Sequence, residues 1–372
     1  MVNLLISGVG GTVLSVFLAI IILLAMVCVH EFGHFIAGRI LGFKITEFAV
    51  GFGPKLLKRR VRKHGTLFTL RAFPLGGFCA FQGEDGEADD PDAFNNKKPW
   101  QRIIVLVSGA LMNYILALVL ILVGLFAFGQ PCYKMGAVVE NEAYPAEYSL
   151  AEGDVILGVN GRNVYFATDL IYALNGKEEG ERATVTVLRG GERRNAEIIL
   201  RGDCDFKNSS EISKLWRAFG SDTFEGGDGN LYWCVGSENV RFSFFPTVGR
   251  SFAYSFRTAG AIFRVLGELF TGRLGISAVG GPVTTIRQTG AIAVQSFQSF
   301  LQIAAYIGVN LAVFNLLPVP ALDGSKVIFC LIEWIFKKPV PRKVEAVIHA
   351  AGFVLILVFA VIVDILQFAR CG

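Results

Sequence analysis

Leu23-Leu24-Ala25-Met26-Val27-Cys28-Val29-His30-Glu31-Phe32-Gly33-His34 is the stretch on which the reading of this chain turns. An apolar run from Val13 to Val29 ends there in two histidines four residues apart. On a helix, positions i and i+4 share a face about one turn, or ~6 Å, apart, so both imidazoles reach one ion. Glu31 lies off that line, free to meet a water instead of the ion. This is the H-E-x-x-H pattern of a zinc site, with the glutamate as general base. The alternative is a chance meeting on a soluble helix. Against it, two of the chain's four histidines fall in this window, and an ionisable cluster in apolar surroundings is costly and functional by default.

Composition supports a membrane setting. The 372 residues are 53% hydrophobic and 18% charged, too apolar for an ordinary soluble protein. A net charge of +4 suggests no nucleic-acid partner. The seven cysteines include no C-x-x-C pair, so neither a zinc knuckle nor a redox motif is signalled. Cys132, Cys204 and Cys234 share one long loop, where a disulfide among them is open. No Lys or Arg precedes the first apolar run, so it lacks the charged n-region of a cleavable signal peptide.

Four stretches approach or exceed the ~20 apolar residues that cross a bilayer: Ile6 to Val29 continuing through the motif, Ile103 to Phe128, Phe300 to Leu317, and Val347 to Leu366. Val327 to Phe336 is apolar but short, and reads as interfacial or re-entrant. Lys and Arg in the loops set the orientation. Arg39 to Arg102 holds twelve of them against seven Asp/Glu, including Lys58-Arg59-Arg60 and Arg62-Lys63, and the loop after the third span holds Lys326, Lys337, Lys338, Arg342 and Lys343. Both loops are therefore expected in the cytoplasm, with both termini and the loop from about 130 to 298 outside it.

The first and third spans then run the same way and end on the same side. His30 and His34 end the first. The third leads into Asn315-Leu316-Leu317-Pro318-Val319-Pro320-Ala321-Leu322-Asp323-Gly324. Catalytic zinc takes three protein ligands and keeps one position open. Asp323 is expected to be the third ligand, though the prolines and Gly324 by themselves read only as a helix stop with Asp323 as a cap. The ion is expected inside the membrane, nearer the cytoplasmic face.

His30-Glu31-x-x-His34 together with the late Asn-x-x-Pro-x-Pro-x-Leu-Asp-Gly stretch resembles the site-2 proteases, which are intramembrane zinc metalloproteases. The bacterial RseP-like branch with one PDZ domain is the nearest pattern. Phe73-Pro74-Leu75-Gly76-Gly77-Phe78, Ser108-Gly109-Ala110-Leu111-Met112-Asn113 and Gly280-Gly281-Pro282 extend the likeness over nearly the whole length. The resemblance implies a polytopic α-helical membrane protein with four transmembrane helices, a cytoplasmic-side membrane-associated β-sheet and an extracytoplasmic PDZ domain (α+β). Expected boundaries are 1–38 for the first span, 39–102 for a β-rich loop with a re-entrant hairpin, and 103–129 for the second span. The PDZ domain is expected over 130–204, and an insertion with an amphipathic helix over 205–298. The third span with its Leu-Asp-Gly follows at 299–324, a cytoplasmic loop at 325–345, and the last span and tail at 346–372.

Between the spans, Phe43 to Gly53 and Leu67 to Phe81 read as strands broken by Gly and Pro. A helical substrate keeps its peptide bonds paired internally, so cutting it needs one bond extended. A strand edge beside the ion can hold such a segment by β-addition, and Gly76 and Gly77 are the expected contacts. Ser108, Gly109 and Asn113 interrupt the second span and suit close helix packing; Asn113 is also a candidate for contact with the ion or substrate. Glu152-Gly153-Asp154-Val155-Ile156-Leu157-Gly158-Val159-Asn160-Gly161 looks like a PDZ core, entered through Tyr144-Pro145-Ala146, with Glu147-Tyr148-Ser149-Leu150 where an Ala-Gly-Leu step is usual. Such a module either binds extended peptide ends or only excludes bulky ectodomains. Ser251 to Thr271 is amphipathic and suits either the membrane surface or a packed helix.

The expected chemistry is metalloproteolysis with Zn2+ on His30, His34 and Asp323, Glu31 as base, and, by resemblance, Asn315 on the substrate backbone. Expected partners are the lipid bilayer and single-pass membrane proteins already shortened by another protease, such as anti-sigma factors or remnant signal peptides. The expected location is a bacterial inner membrane. The alternative is a non-enzymatic PDZ-bearing adaptor with a structural metal. Structural zinc wants four protein ligands, and only three stand out here.

Overall fold

The computed structural model describes residues 9–61, 65–84, 89–137, 149–202, 204–207, 211–221, 223–225, 231–275 and 280–371. The Tyr144-Pro145-Ala146 entry with Glu147 and Tyr148, and the basic pair Arg62-Lys63, lie outside the described residues. In chain order come α1 (Val9–Ile40), β1 (Ile45–Arg60), β2 (Leu67–Phe81), α2 (Pro99–Phe128), β3 (Gln130–Met135), β4 (Val155–Val159) and β5 (Arg162–Asn163). Then follow α3 (Ala167–Leu174), β6 (Arg182–Arg189), β7 (Glu192–Ile199), α4 (Ile212–Ala218), β8 (Thr223–Glu225), β9 (Leu231–Trp233) and β10 (Val235–Val240). The last five are α5 (Phe244–Phe270), α6 (Pro282–Ala293), α7 (Phe297–Leu316), α8 (Asp323–Phe336) and α9 (Arg342–Cys371). The chain divides into two compact units: Met1–Val123 with Thr258–Ile262 and Ile276–Gly372, and Gly124–Arg257 with Phe263–Gly275.

Among the described residues, four helices are long and apolar enough to cross a membrane: Gly10–Ile40, Pro99–Phe128, Phe297–Leu316 and Arg342–Gln367. They match the four expected spans, and the chain is a multi-pass membrane protein with a mixed α+β remainder. A helix suits lipid because it pairs all its backbone groups internally. Phe353, Val354 and Leu355 of α9 are largely exposed, a surface suited to lipid and costly in water.

With no hydrophobic drive between helices in lipid, close packing has to come from small residues. A Cβ on Gly33 would lie 2.3 Å from the Ser108 carbonyl oxygen, and one on Gly290 of α6 would lie 2.2 Å from that of Ser15. α1 meets α2 and α6 backbone to backbone at these points. The Gly280-Gly281-Pro282 motif opens α6, with Gly281 as N-cap and lacking a capping side chain. Asp364 of α9 supplies the cap instead: its carboxylate accepts from the N–H groups of Val283 at 3.1 Å and Thr284 at 3.3 Å. A Cβ on Gly281 would collide with that carboxylate.

The first unit also holds β1, which runs past the expected Gly53 to Arg60, and β2, which spans the expected Leu67 to Phe81. Each bends at its middle, and the antiparallel register lays four segments side by side in the order 55–60, 67–71, 45–50, 77–81. Glu47 ties the bend together by accepting from Thr69, Lys55 and Arg71. Burial opposes its charge, yet these donors hold its carboxyl well below the usual range. The 77–81 segment forms the edge nearest α1.

In the second unit, one antiparallel sheet runs β10-β3-β4-β6-β7, with β5 on β4. β10 pairs with β3 along its full length, from Val235↔Met135 to Val240↔Gln130. Leu215, Trp216 and Phe219 enter the same core as Ile156, Leu170 and Val185. Residues beyond 204 thus complete the module expected at 130–204. Cys132, Cys204 and Cys234 are not joined by a disulfide. The amphipathic stretch is the long helix α5. Its Arg250, Arg257 and Arg264, seven residues apart, reach Gln130, Asp169 and the ring of Tyr172. Phe245, Phe252, Phe256, Phe263 and Phe270 are exposed and fall on one other face at 100° per residue.

Candidate metal centre

α1 continues unbroken through the histidine motif, so His30 and His34 share one face, with ring centroids 4.7 Å apart. Asp323 arrives from elsewhere. The third spanning helix stops at Leu316, and Asp323 is the first residue of α8, not part of the span as the 299–324 boundary implied. Two contacts and one unusual backbone angle shape the intervening turn. A Cβ on Gly324 would lie 2.2 Å from the Leu317 carbonyl oxygen, so only glycine lets α8 start against the end of α7. Ala321 takes a left-handed φ of 73°, sparsely populated for a residue with a Cβ. Its N–H donates to His349 Nδ1 of α9 at 3.0 Å.

The result brings His30, His34 and Asp323 together. His30 Nε2 lies 2.9 Å from Asp323 Oδ2, His34 Nε2 lies 3.3 Å from the same oxygen, and the two Nε2 atoms are 3.1 Å apart. Ligands about 2.0–2.1 Å from a tetrahedral zinc stand ~3.3 Å from each other. The triangle is within a few tenths of an ångström of that size. The chemistry of the donors also fits. His34 Nδ1 lies 2.7 Å from the Val105 carbonyl oxygen; donation there leaves Nε2 with its lone pair facing the centre. These residues could hold a zinc ion with three ligands, and no fourth His, Cys, Asp or Glu joins the group among the described residues.

Glu31 is not one of the three and reaches the sheet. Its Oε2 accepts from the Cys79 N–H at 2.9 Å, on the 77–81 edge of β2. Gly77 borders it: a Cβ there would lie 3.6 Å from Glu31 Cγ. A Cβ on Gly76 would meet the Phe52 ring at 2.2 Å. The side-chain amide of Asn315 lies 3.4 Å from His30 Nδ1, so it stands against a candidate ligand.

Four parts of this centre were not read from the sequence. A Cβ on Gly109 would lie 2.5 Å from His34 Nε2 and 2.8 Å from His30 Cε1, so α2 lays bare backbone on both imidazoles. The glycine was visible in the apolar run, but its partner was not. The Val105 carbonyl and the Cys79 N–H are backbone groups, which carry no sequence signal. His349 could have been noticed as a histidine at the edge of a span.

The family model described as Peptidase family M50 matches residues 18–359. A Clostridium perfringens protein named "Putative zinc metalloprotease" is 32% identical over 347 residues, covering 92% of this chain and 94% of that protein. A Nostoc protein with the same style of name is 33% identical over 359 residues, covering 92% of this chain and 93% of its own. An Arabidopsis thaliana protein named "Probable membrane metalloprotease", chloroplastic, is 32% identical over 96% of this chain and 81% of its own.

Proposed function

This chain belongs to Peptidase family M50, and from that premise we propose that it is a site-2-type intramembrane zinc metalloprotease that cuts transmembrane segments of single-pass membrane proteins. The observation that carries the reading is the meeting of His30, His34 and Asp323, the last 293 residues from the first, at the edge lengths of a zinc tetrahedron. Three ligands leave a position open, which favours catalysis over the structural metal of an adaptor.

In this reading His30, His34 and Asp323 hold the ion. Zinc, when bound, acts as a Lewis acid that brings the pKa of a coordinated water to ~7 and polarises a carbonyl. Glu31 takes the proton of the attacking water as its oxygen bonds to the carbonyl carbon. When the C–N bond breaks, Glu31 gives that proton to the leaving amine. The Cys79 N–H holds one carboxylate oxygen and so aims the other. The 77–81 edge of β2, with Gly77 beside Glu31, offers the strand on which an unwound substrate is laid, and Asn315 contacts its backbone.

The family likeness and the basic loops support the wider setting. The second unit is a PDZ-like module outside the cytoplasm, both termini lie on its side, and the membrane is the inner membrane of a bacterium. Substrates reach the site after another protease has shortened them. The test is Glu31→Gln in the full-length protein with zinc, assayed on a membrane-embedded single-pass substrate. Cleavage is expected to fall about 100-fold to 10,000-fold, the usual worth of a general base, with zinc content unchanged. Turnover at the wild-type rate would refute the assignment.

A further inference from the structure

We infer that Asn113 is a second substrate-contacting residue of this centre, its carboxamide hydrogen-bonding a peptide group of the chain being cut. The inference rests on the metalloprotease reading and adds a residue to it. Asn113 lies in α2 and is fully buried. Neither its Oδ1 nor its Nδ2 has a hydrogen-bond partner among the described residues. In lipid no bulk water offsets such a loss, and intramembrane polar groups are retained where they serve a pathway or a ligand. A Cβ on Gly308 of α7 would meet Ala117 at 3.0 Å, Met26 at 3.2 Å and the Asn113 carbonyl oxygen at 3.3 Å, so α1, α2 and α7 come together at this level of the bundle.

Its place on the helix says what it faces. Asn113 stands four residues after Gly109, on the same face one turn along. Helical side chains lean back toward the N-terminus, over the preceding turn. Asn113 therefore leans over Gly109, the residue whose bare backbone touches both imidazoles. α7 repeats the theme from the other side. Gly308 lies at the level of Asn113, and seven residues later Asn315 lies against His30. Seven residues of helix rise ~10 Å, which an extended peptide covers in about three residues. The two amides are spaced to hold peptide groups on either side of one cut bond. A helical segment has no free peptide groups to offer, so this pair selects a substrate that has unwound.

The test uses the full chain in nanodiscs, loaded with zinc, and a membrane-embedded peptide of Leu, Ala and Gly carrying a fluorophore and a quencher. Asn113→Leu keeps the branched shape, adds some bulk and removes the unpartnered amide. It should leave zinc content unchanged and the melting temperature equal or higher, while kcat/KM falls at least tenfold. Asn113→Ala, which removes the amide without adding bulk, should show the same loss if leucine does not fit. Cleavage within twofold of wild type in either well-folded variant overturns the inference, as does a loss that follows zinc content or melting temperature, because the amide then serves only packing or a bound water. Glu31→Gln runs beside them. If it cleaves normally, the protease reading fails, independently of Asn113.

Discussion

The two halves of the metal centre are built in opposite ways. His30 and His34 sit on one uninterrupted helix, where a spacing of four residues is enough to align them. Asp323 starts a separate helix after a turn that no local pattern specifies, held by Gly324 under the end of α7 and by His349 behind Ala321. One half would form in any helix of that sequence; the other exists only once α7, α8 and α9 have packed. The same ion-binding geometry thus has a local part and a tertiary part, and these should fail differently.

The largest effect is expected from Asp323→Ala. If ~10–16 kcal/mol of structural zinc binding is shared among four ligands, losing one weakens zinc affinity by roughly 100-fold to 1000-fold. Metal analysis after graded chelation checks this, and α1 should keep its helicity. Retained affinity would mean that the tertiary half is dispensable. Gly109→Ala comes next. Its methyl has to push α2 off the imidazoles, an overpacking cost of about 1–3 kcal/mol. A fall of about 10–100-fold in zinc affinity or cleavage is expected, as for other perturbed metal surroundings. An unchanged affinity would show that the helices part without disturbing the histidines. The smallest effect is expected from His349→Leu. It leaves the Ala321 N–H unpaired and loosens the turn before Asp323, for a drop of about tenfold or less in zinc affinity with both histidines still in place. A loss equal to that of Asp323→Ala would make the turn, and not the carboxylate, the weak point of the site.

The parts legible in advance follow the same division. The four spans were legible because a bilayer demands length and apolarity, both of which can be counted along the chain. The histidine pair was legible because 3.6-residue periodicity is local. Asp323 was found by a longer route: two spans running the same way must end on the same side. That reasoning placed the residue but not its element, because where α7 stops depends on the close approach at Gly324. Gly109 and Asn113 were visible as breaks in an apolar run, and Gly281 as part of a Gly-Gly-Pro motif. Their meanings were not, since each depends on what lies across a helix interface. In the second unit the strands around Glu152 to Gly161 were readable, but nothing in 205–245 signalled that β10 would pair with β3.

By itself the sequence determined that this chain has four apolar helices, and that one of them ends in a pair of imidazoles aimed at a common point with a carboxylate turned aside. These are consequences of hydropathy and helical pitch, which act over a few residues. Tertiary structure alone decided that Asp323 closes the triangle, that Cys79 holds Glu31, and that Gly109 lies against the histidines. Those contacts join segments far apart in the chain, and only packing at van der Waals distance selects which of them meet.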